Sequence, residues 1–287
     1  QMFIVYDGYK GLVEGNIVQV NKEFTADIIN RGGTIIRSAR LPEFKEEAVL
    51  NQAVRNIKDF EIDAIIGIGG DGTFRGLHAL SKAGVPVIGI PATIDNDVAC
   101  TVRTIGFDTA LNTICDSIDK IKDTSSSHQK CSIIEVMGRH CGDLAMFASL
   151  AEGAEAVITP EHPLKEEVLF RKLRKMKAQN KSHAIIIVSE NLYDIKELAK
   201  KISDETGFDT RTEVLGRLQR GGSPIAEDRT LAAGYGAYVI KNVVENDAYN
   251  VVVGMKDDKY VLIPIADAIQ MKHEHAHGLR DVIDMLQ

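Results

Sequence analysis

Short apolar runs alternate along this chain with longer amphipathic segments. The runs are rich in β-branched residues, as expected of strands that are buried on both faces of a sheet; they cover residues 2–6, 64–68, 85–90, 132–136, 156–159, 184–189 and 249–253. The intervening segments carry apolar residues at three- and four-residue spacing, as amphipathic helices do; they cover residues 44–60, 109–122, 166–177, 194–206 and 228–244. This alternation predicts βαβ units and an α/β fold with mainly parallel sheets.

The overall composition excludes several classes of protein. The chain has 287 residues, of which 44% are hydrophobic and 26% charged, so it can bury one large core or two modest ones. Its net charge of -7 provides no basic surface of the kind that nucleic acids or anionic membranes require. There is no apolar run of about 18 residues and no signal-like start, and the four cysteines form no C-x-x-C pair. We therefore expect a cytoplasmic protein with reduced thiols and no membrane or nucleic-acid partner.

A glycine-rich loop follows the predicted strand 64–68. It reads Gly69-Gly70-Asp71-Gly72-Thr73. Glycines let backbone amides approach a phosphate, and the helix expected after the loop offers its N-terminus to the same anion, with Asp71 as a candidate Mg²⁺ ligand. For this motif alone, a tight turn with an aspartate capping the helix is the favoured interpretation. The motif also occurs in NAD kinases and lipid kinases.

A second polar loop follows the strand 85–90. It contains Thr93, Asp95, Asn96 and Asp97. If the backbone is extended, both carboxylates and the Thr93 hydroxyl point to one side. Two carboxylates near phosphates suit one metal ligand and one general base for transfer to an alcohol, whereas the alternative is a plain Asx turn. Further loops are predicted at Gly32-Gly33, at Ser125-Ser126-Ser127 and at residues 221–224.

Five motifs occur together in a characteristic order. They are Gly69-Gly70-Asp71-Gly72, Thr93-Ile94-Asp95-Asn96-Asp97, Thr124-Ser125-Ser126-Ser127-His128-Gln129, Met137-Gly138-Arg139-His140-Cys141-Gly142 and Leu218-Gln219-Arg220-Gly221-Gly222-Ser223-Pro224. With this set the chain resembles the ATP-dependent 6-phosphofructokinases, most closely the bacterial type, over essentially its whole length. The resemblance implies a glycolytic kinase that transfers the γ-phosphoryl group of ATP to the 1-hydroxyl of fructose 6-phosphate.

The resemblance implies roles for residues on the nucleotide side. Asp95 matches the catalytic base, Thr93 contacts the transferred phosphoryl group, and Asp71 and Asp97 match the magnesium-site carboxylates. Arg40 matches an arginine that binds ATP phosphates and stabilises the transition state. The implied ATP-binding set is Arg40, Leu41, Gly70, Asp71, Gly72 and Thr73.

The resemblance also implies a sugar-phosphate site. Glu190 matches a carboxylate that accepts sugar hydroxyls, Arg220 a ligand of the 6-phosphate, and Arg211 a residue that reaches a neighbouring subunit's site in a homotetramer. Arg139 is counted as both catalytic and substrate-binding. The implied substrate-binding set is Thr93, Asp95, Asp97, Lys130, Met137, Gly138, Arg139, Glu190, Arg211, Arg217 and Arg220.

Two small residues favour ATP as the phosphoryl donor. Pyrophosphate-dependent relatives carry an acidic residue at the position of Gly72 and a lysine at the position of Ala92. The small side chains here leave room for the nucleotide's α-phosphate.

An effector site and a histidine tract are further candidates. The resemblance places a site for ADP or phosphoenolpyruvate at Lys22, Lys122, Gly153, Glu155, Lys181 and His183. The tract His273, His275 and His277 suggests a metal site, although a solvated helix end or tail is the favoured interpretation.

Several positions depart from the family pattern. The family's first strand, its phosphate loop and its first helix have no counterpart, Lys130 replaces an arginine, Arg217 replaces a histidine and Leu41 replaces an aromatic residue. Lysine lacks the bidentate fork of arginine and should bind the sugar 6-phosphate less tightly. We therefore expect a raised KM for fructose 6-phosphate rather than a loss of kcat. The alternatives are a phosphofructokinase fragment or subunit without turnover, a relative of NAD or lipid kinases, and a pyrophosphate-dependent enzyme.

The predicted architecture is two Rossmann-like three-layer subdomains with a cleft between them. Residues 1–106 with 219–269 would bind ATP and Mg²⁺, and residues 107–218 with 270–287 would bind the sugar phosphate. The chain would cross between them near Arg220.

Overall fold

The computed structural model describes residues 1–163, 165–273 and 277–286, except the side chains of residues 277, 284 and 286. They form two compact units. Unit 1 comprises Gln1–Thr93, Val98–Gly106 and Gly222–His273, and unit 2 comprises Ile94–Asp97, Phe107–Gly221 and Glu274–Gln287. Of the histidine tract, His275 lies outside the described residues. The α/β fold with mainly parallel sheets is as predicted.

The chain forms ten strands and ten helices within the described residues. The strands are β1 (Met2–Val5), β2 (Ile17–Val20), β3 (Ile65–Gly69), β4 (Val87–Pro91), β5 (Lys130–Val136), β6 (Ala156–Ile158), β7 (Ala184–Ser189), β8 (Asp209–Val214), β9 (Val251–Lys256) and β10 (Lys259–Pro264). The helices are α1 (Gly8–Glu14), α2 (Glu47–Asp59), α3 (Asp71–Lys82), α4 (Phe107–His128), α5 (Asp143–Glu152), α6 (Glu166–Ala178), α7 (Ile195–Thr206), α8 (Ala226–Val239), α9 (Ile265–Ala268) and α10 (His277–Leu286). Short 3₁₀ segments cover Lys22–Thr25, Pro42–Lys45 and Gly216–Arg220, and a π-helical turn covers Ile240–Val244. None of the helices in the described part of the chain is both long and apolar enough to cross a membrane.

Unit 1 contains a four-stranded sheet in the order β10-β9-β4-β3. The pairs β3–β4 and β4–β9 are parallel, while β9 and β10 form an antiparallel hairpin; β1 and β2 pair separately and antiparallel. Successive residues of β4 enter different cores, since Val87 packs in the cluster containing Leu77 and Ile88 packs in the cluster containing Tyr235. Helices therefore cover both faces of β4.

Unit 2 contains an all-parallel sheet in the order β6-β7-β5-β8. Side chains of β5 alternate between two cores, with Ile134 in the cluster that α4 and α5 complete and Ile133 in the cluster that α6 and α7 complete. This is the three-layer arrangement that the apolar runs predict.

Several elements differ from the sequence-based expectation, among them the following three. Ser125–Ser127 are not a loop but belong to α4, where Ser125 is buried and its hydroxyl pairs with that of Ser132 at 2.7 Å. Strand β8 was not predicted because it lies at the sheet edge and its sequence is largely polar. Helix α5 was not predicted because it is buried around most of its surface and lacks an amphipathic pattern.

The segment Ile94–Asp97 belongs to unit 2. The sequence had placed it with residues 1–106. Ile94 packs against the unit 2 core, and the Asn96 side chain donates a hydrogen bond to Asp143 at 2.8 Å, which explains the different boundary.

Candidate active site

The glycine-rich loop of unit 1 joins β3 directly to α3. Gly70 occupies the position before the first helical residue, Asp71, and no side chain caps the helix. The alternative in which Asp71 caps the helix is therefore wrong. A Cβ atom on Gly69 would lie 2.2 Å from Thr73 Oγ1, so this turn requires glycine. Uncapped amides at the start of a helix form a suitable site for a phosphate.

Asp71 and Asp97 have the chemistry of magnesium ligands. The Asp71 side chain is 44% exposed, and its Oδ2 accepts a hydrogen bond from Arg75 Nε at 2.8 Å, which raises the pKa of Arg75. The Asp97 side chain in unit 2 is 21% exposed, and its Oδ2 lies 4.0 Å from Arg139 Nη1. Carboxylate oxygens that reach solvent fit Mg²⁺, which usually retains waters and phosphate oxygens as its other ligands.

The remaining residues of the predicted ATP-binding set, and Thr93, lie in unit 1. Arg40 is exposed in the loop before Pro42–Lys45, whereas Leu41 is partly buried against the unit 1 core. A Cβ atom on Gly72 would have no neighbour within 4 Å. The Thr93 carbonyl accepts a hydrogen bond from Thr104 Oγ1 at 2.6 Å, which fixes the end of this segment.

In unit 2, Asp95 lies among four other charged groups. Burial raises the pKa of Asp95 to about 6, and the charges of Asp97 and Glu190 add to this increase. The guanidinium groups of Arg220 and Arg139 act in the opposite direction. The structure thus brings together five of the predicted site residues.

The backbone around Asp95 is not extended as the alternate spacing had suggested. Asn96 has a φ of 53°, in the left-handed region, and its side chain is buried. The stretch folds as a turn because the Asn96 amide is held inside unit 2 by Asp143.

The loop Met137–Arg139 is held in a strained backbone conformation. Gly138 has a φ of 137°, and a Cβ atom there would lie 2.4 Å from the Cys141 carbonyl oxygen. Arg139 is also left-handed, with a φ of 57°, and its backbone N–H donates to Glu190 Oε1 at 3.0 Å. Strain of this kind persists only where surrounding contacts enforce it.

The remaining predicted sugar-side cations fall into two groups. Lys130 and Arg211 both pair with Asp209, at 3.5 and 3.2 Å. Arg217 and Arg220 are exposed on the 3₁₀ segment Gly216–Arg220. Of these four cations, Arg220 is the one whose charge acts on Asp95.

Three of the predicted effector residues of unit 2, Lys122, Glu155 and Lys181, lie in two acid–base pairs. Lys122 Nζ donates to Glu152 Oε2 at 2.6 Å, and Lys181 donates to Glu155, which also accepts the Ile185 N–H at 2.5 Å. Gly153, which lies between Glu152 and Glu155 in the sequence, follows the last residue of α5 and has a φ of 59°. His183 Nδ1 lies 3.2 Å from Ser182 Oγ, and Lys22 lies in unit 1.

Comparison with known proteins identifies the family. The family model described as "Phosphofructokinase" matches residues 1–243. The chain belongs to the phosphofructokinase family. The resemblance predicted from the five motifs is therefore confirmed, as is its bacterial type.

Individual phosphofructokinases are similar over most of the chain. The ATP-dependent 6-phosphofructokinase of Photobacterium profundum is 48% identical over 287 residues, which cover 100% of this chain and 89% of that protein. The enzyme of the same name from Aliivibrio salmonicida is 50% identical over 270 residues, 94% of this chain and 84% of that protein. The solved phosphofructokinase of Saccharomyces cerevisiae has a TM-score of 0.86 and 29% identity; the match covers 99% of this chain but 42% of that one. This chain therefore spans less than half the length of the yeast chain.

Two buried contacts of this phosphofructokinase were not assigned from the sequence. Gln219, which is 1% exposed, accepts the Met137 N–H, and Asn96 binds Asp143. The available signal in the sequence was the place of Gln219 inside a recognised motif, between Arg217 and Arg220. The partnership of Asn96 with a residue 47 positions away has no local signal.

Proposed function

We propose that this protein transfers the γ-phosphoryl group of ATP to the 1-hydroxyl of fructose 6-phosphate, giving fructose 1,6-bisphosphate and ADP. The observation that carries this proposal is the charged cluster around Asp95, in a chain that belongs to the phosphofructokinase family. A carboxylate placed among arginines suits proton removal from an alcohol next to a bound phosphate.

Within the proposed reaction, Asp95 takes the proton of the sugar 1-hydroxyl as that oxygen attacks the γ-phosphorus. Arg139 stabilises charge on the transferred group, and Arg220 binds the 6-phosphate through its guanidinium fork. Glu190 accepts sugar hydroxyls; its Oε1 already receives the Arg139 N–H, so the same carboxylate positions the substrate loop.

On the nucleotide side, the amides at the start of α3 and the Arg40 side chain bind ATP phosphates. Asp71 and Asp97 are each proposed as a carboxylate ligand for Mg²⁺, which would neutralise phosphate charge. Arg75 holds Asp71 Oδ2, so this ion pair orients the carboxylate before the nucleotide arrives. Thr93 contacts the transferred phosphoryl group.

Assembly and regulation form part of the same proposal. Arg211 would serve a neighbouring subunit's sugar site in a cytoplasmic homotetramer, and ADP or phosphoenolpyruvate would bind near Gly153. An anionic effector competes with Glu152 for Lys122 and with Glu155 for Lys181. Effector binding is therefore expected to weaken as salt concentration rises.

A coupled assay of fructose 1,6-bisphosphate formation tests the reaction. We expect turnover by the parent protein and a loss of about 10²- to 10⁴-fold in kcat for Asp95→Asn, because the variant removes a general base. Asp258→Asn, in the turn between β9 and β10, is the matched control and retains kcat. A parent protein that is inactive with intact circular dichroism would contradict the proposal and favour the fragment alternative.

Replacing ATP with pyrophosphate tests the donor. Small residues at Gly72 and Ala92 favour ATP, so pyrophosphate should support little or no turnover. Turnover with pyrophosphate alone would overturn the choice of donor while leaving the sugar chemistry intact.

A further inference from the structure

A buried hydrogen bond connects the Asp95 turn to the start of helix α5. Asn96 Nδ2 donates to Asp143 Oδ2 at 2.8 Å. The two residues are 2% and 4% exposed, so both polar groups are almost completely removed from water. A buried amide and carboxylate in direct contact hold a definite relative orientation, because breaking a buried hydrogen bond costs more than breaking one that water can replace.

The backbone of Asn96 makes this hydrogen bond important for its neighbours. Its φ of 53° is a conformation that non-glycine residues other than asparagine and aspartate rarely adopt. In this turn, Asp95 and Asp97 flank a residue whose side chain is held by a buried hydrogen bond. The directions of the two flanking carboxylates therefore depend on the hydrogen bond between Asn96 and Asp143.

Asp143 is fixed by its own surroundings. It is the first residue of α5, whose Leu144, Ala145 and Ala148 are fully buried in the unit 2 core. A carboxylate in the first turn of a helix is stabilised by the helix dipole. The Cys141 thiol also hydrogen-bonds to Asp143, which connects Asp143 to the loop that carries Arg139.

We propose that Asn96 and Asp143 are positioning residues that set the directions of the Asp95 and Asp97 carboxylates. The role of Asp95 in this inference rests on the proposed function. Neither Asn96 nor Asp143 contacts the reacting atoms; they act through Asp95 and Asp97, and the same pair couples this turn to the Met137–Arg139 loop.

Reciprocal exchange of the two side chains tests the proposal. Asn96→Asp alone places two buried carboxylates against each other, and their repulsion should displace the turn. Because a displacement of about 1 Å in a catalytic group can cost about 10²-fold in rate, we expect kcat to fall by about 10²-fold, with little change in KM for fructose 6-phosphate. Asp143→Asn alone keeps an acceptor oxygen and should lose less than about 10-fold. The double variant N96D/D143N restores an amide–carboxylate pair with unchanged total charge, and its kcat should recover to within about 10-fold of the parent.

A matched control separates positioning from general stability. Ser125→Ala removes another buried hydrogen bond of unit 2, that with Ser132, and should lower the thermal unfolding midpoint while leaving kcat unchanged. If N96D/D143N regains the parent's unfolding midpoint but not its kcat, or if Asn96→Asp keeps the parent kcat, the positioning role is wrong.

Crystal structures of the parent, Asn96→Asp and N96D/D143N give a readout that does not depend on turnover. The Asp95 carboxylate should move by about 1 Å or more in the single variant and return in the double variant. An unmoved Asp95 in Asn96→Asp would overturn the inference. An inactive parent with these expected displacements would instead contradict the proposed function alone.

Discussion

The side-chain Oε1 atom of Gln219 lies 3.0 Å from the backbone nitrogen of Met137, whose N–H it accepts. The other end of the same amide donates to the Gly216 carbonyl at 3.0 Å. One buried side chain therefore joins the loop that carries Arg139 to the 3₁₀ segment that carries Arg220.

Gln219→Leu should loosen this connection. The variant leaves the Met137 N–H and the Gly216 carbonyl unpaired, at a cost of about 1–3 kcal/mol for each group that stays buried. Because the affected arginines are the ones proposed to bind the sugar phosphate, KM for fructose 6-phosphate should rise by roughly 10-fold, with a smaller effect on KM for ATP. Steady-state kinetics with each substrate varied checks this. Gln52→Leu, which removes a part-buried amide contact to Asn56 in unit 1, is the control; equal KM changes in both variants would contradict the expectation.

Gly138→Ala should damage the loop Met137–Arg139 more severely than an ordinary glycine replacement. The new methyl group would meet the Cys141 carbonyl oxygen at 2.4 Å in a backbone with φ of 137°. We expect kcat/KM to fall by about 10²-fold, since the loop must shift to remove the clash. Gly84→Ala is the matched control, because Gly84 has a φ of 85° and open space around it. It should lose about 1–2 kcal/mol of stability and keep its kcat/KM.

Gly72→Asp should affect stability and activity in opposite directions. The position is in the first turn of α3 and open, so an added carboxylate meets the helix dipole favourably and should stabilise by about 0.3–1 kcal/mol. The same charge repels ATP phosphates, and KM for ATP should rise by more than about 10-fold. Gly72→Ala supplies the uncharged control. The idea fails if both variants change KM for ATP equally.

Glu135→Gln should change how stability depends on pH. Burial raises the pKa of Glu135, and the nearby Glu190 charge adds to the increase. The folded pKa then exceeds the unfolded one, so the stability contributed by the neutral form is complete below about pH 4 and is lost as the pH rises through the folded pKa. The variant should therefore melt at a higher temperature than the parent at pH 8, and the difference should shrink toward pH 4. Glu245→Gln, at an exposed position, is the comparison; a difference that does not vary with pH would refute the assignment.

Much of the fold could be predicted because strands such as β4, β5 and β7 are buried on both faces. Strand β7, Ala184–Ser189, is buried at every position and reads as a continuous apolar run. Strand β8 alternates exposed aspartate, arginine and glutamate with two less exposed threonines at a sheet edge, so its pairing with β5 depends on neighbours that the local sequence does not reveal. Helix α5 has apolar residues on all sides, which hides the helical period.

The site was predictable where a local backbone constraint demands a residue type. Gly69 and Gly138 are glycines because a Cβ atom would collide with Thr73 and with Cys141, and such positions appear in motifs. The sequence left open whether the stretch around Asn96 is extended or a turn, because its conformation depends on Asp143, and Gln219 was not assigned because its contact to Met137 spans 82 positions. Long-range polar contacts of this kind become visible when the fold is known.

Strand β3, which leads into the glycine-rich loop, borders β4 on one side, and the described residues supply no strand on its other side. Its Ile66 and Ile68 side chains are 43% and 61% exposed. An open edge with apolar side chains is a template for intermolecular pairing. The purified protein should therefore aggregate more readily as its concentration rises. Kinetic measurements are best made in dilute solution, and light scattering can verify that the particle size stays constant.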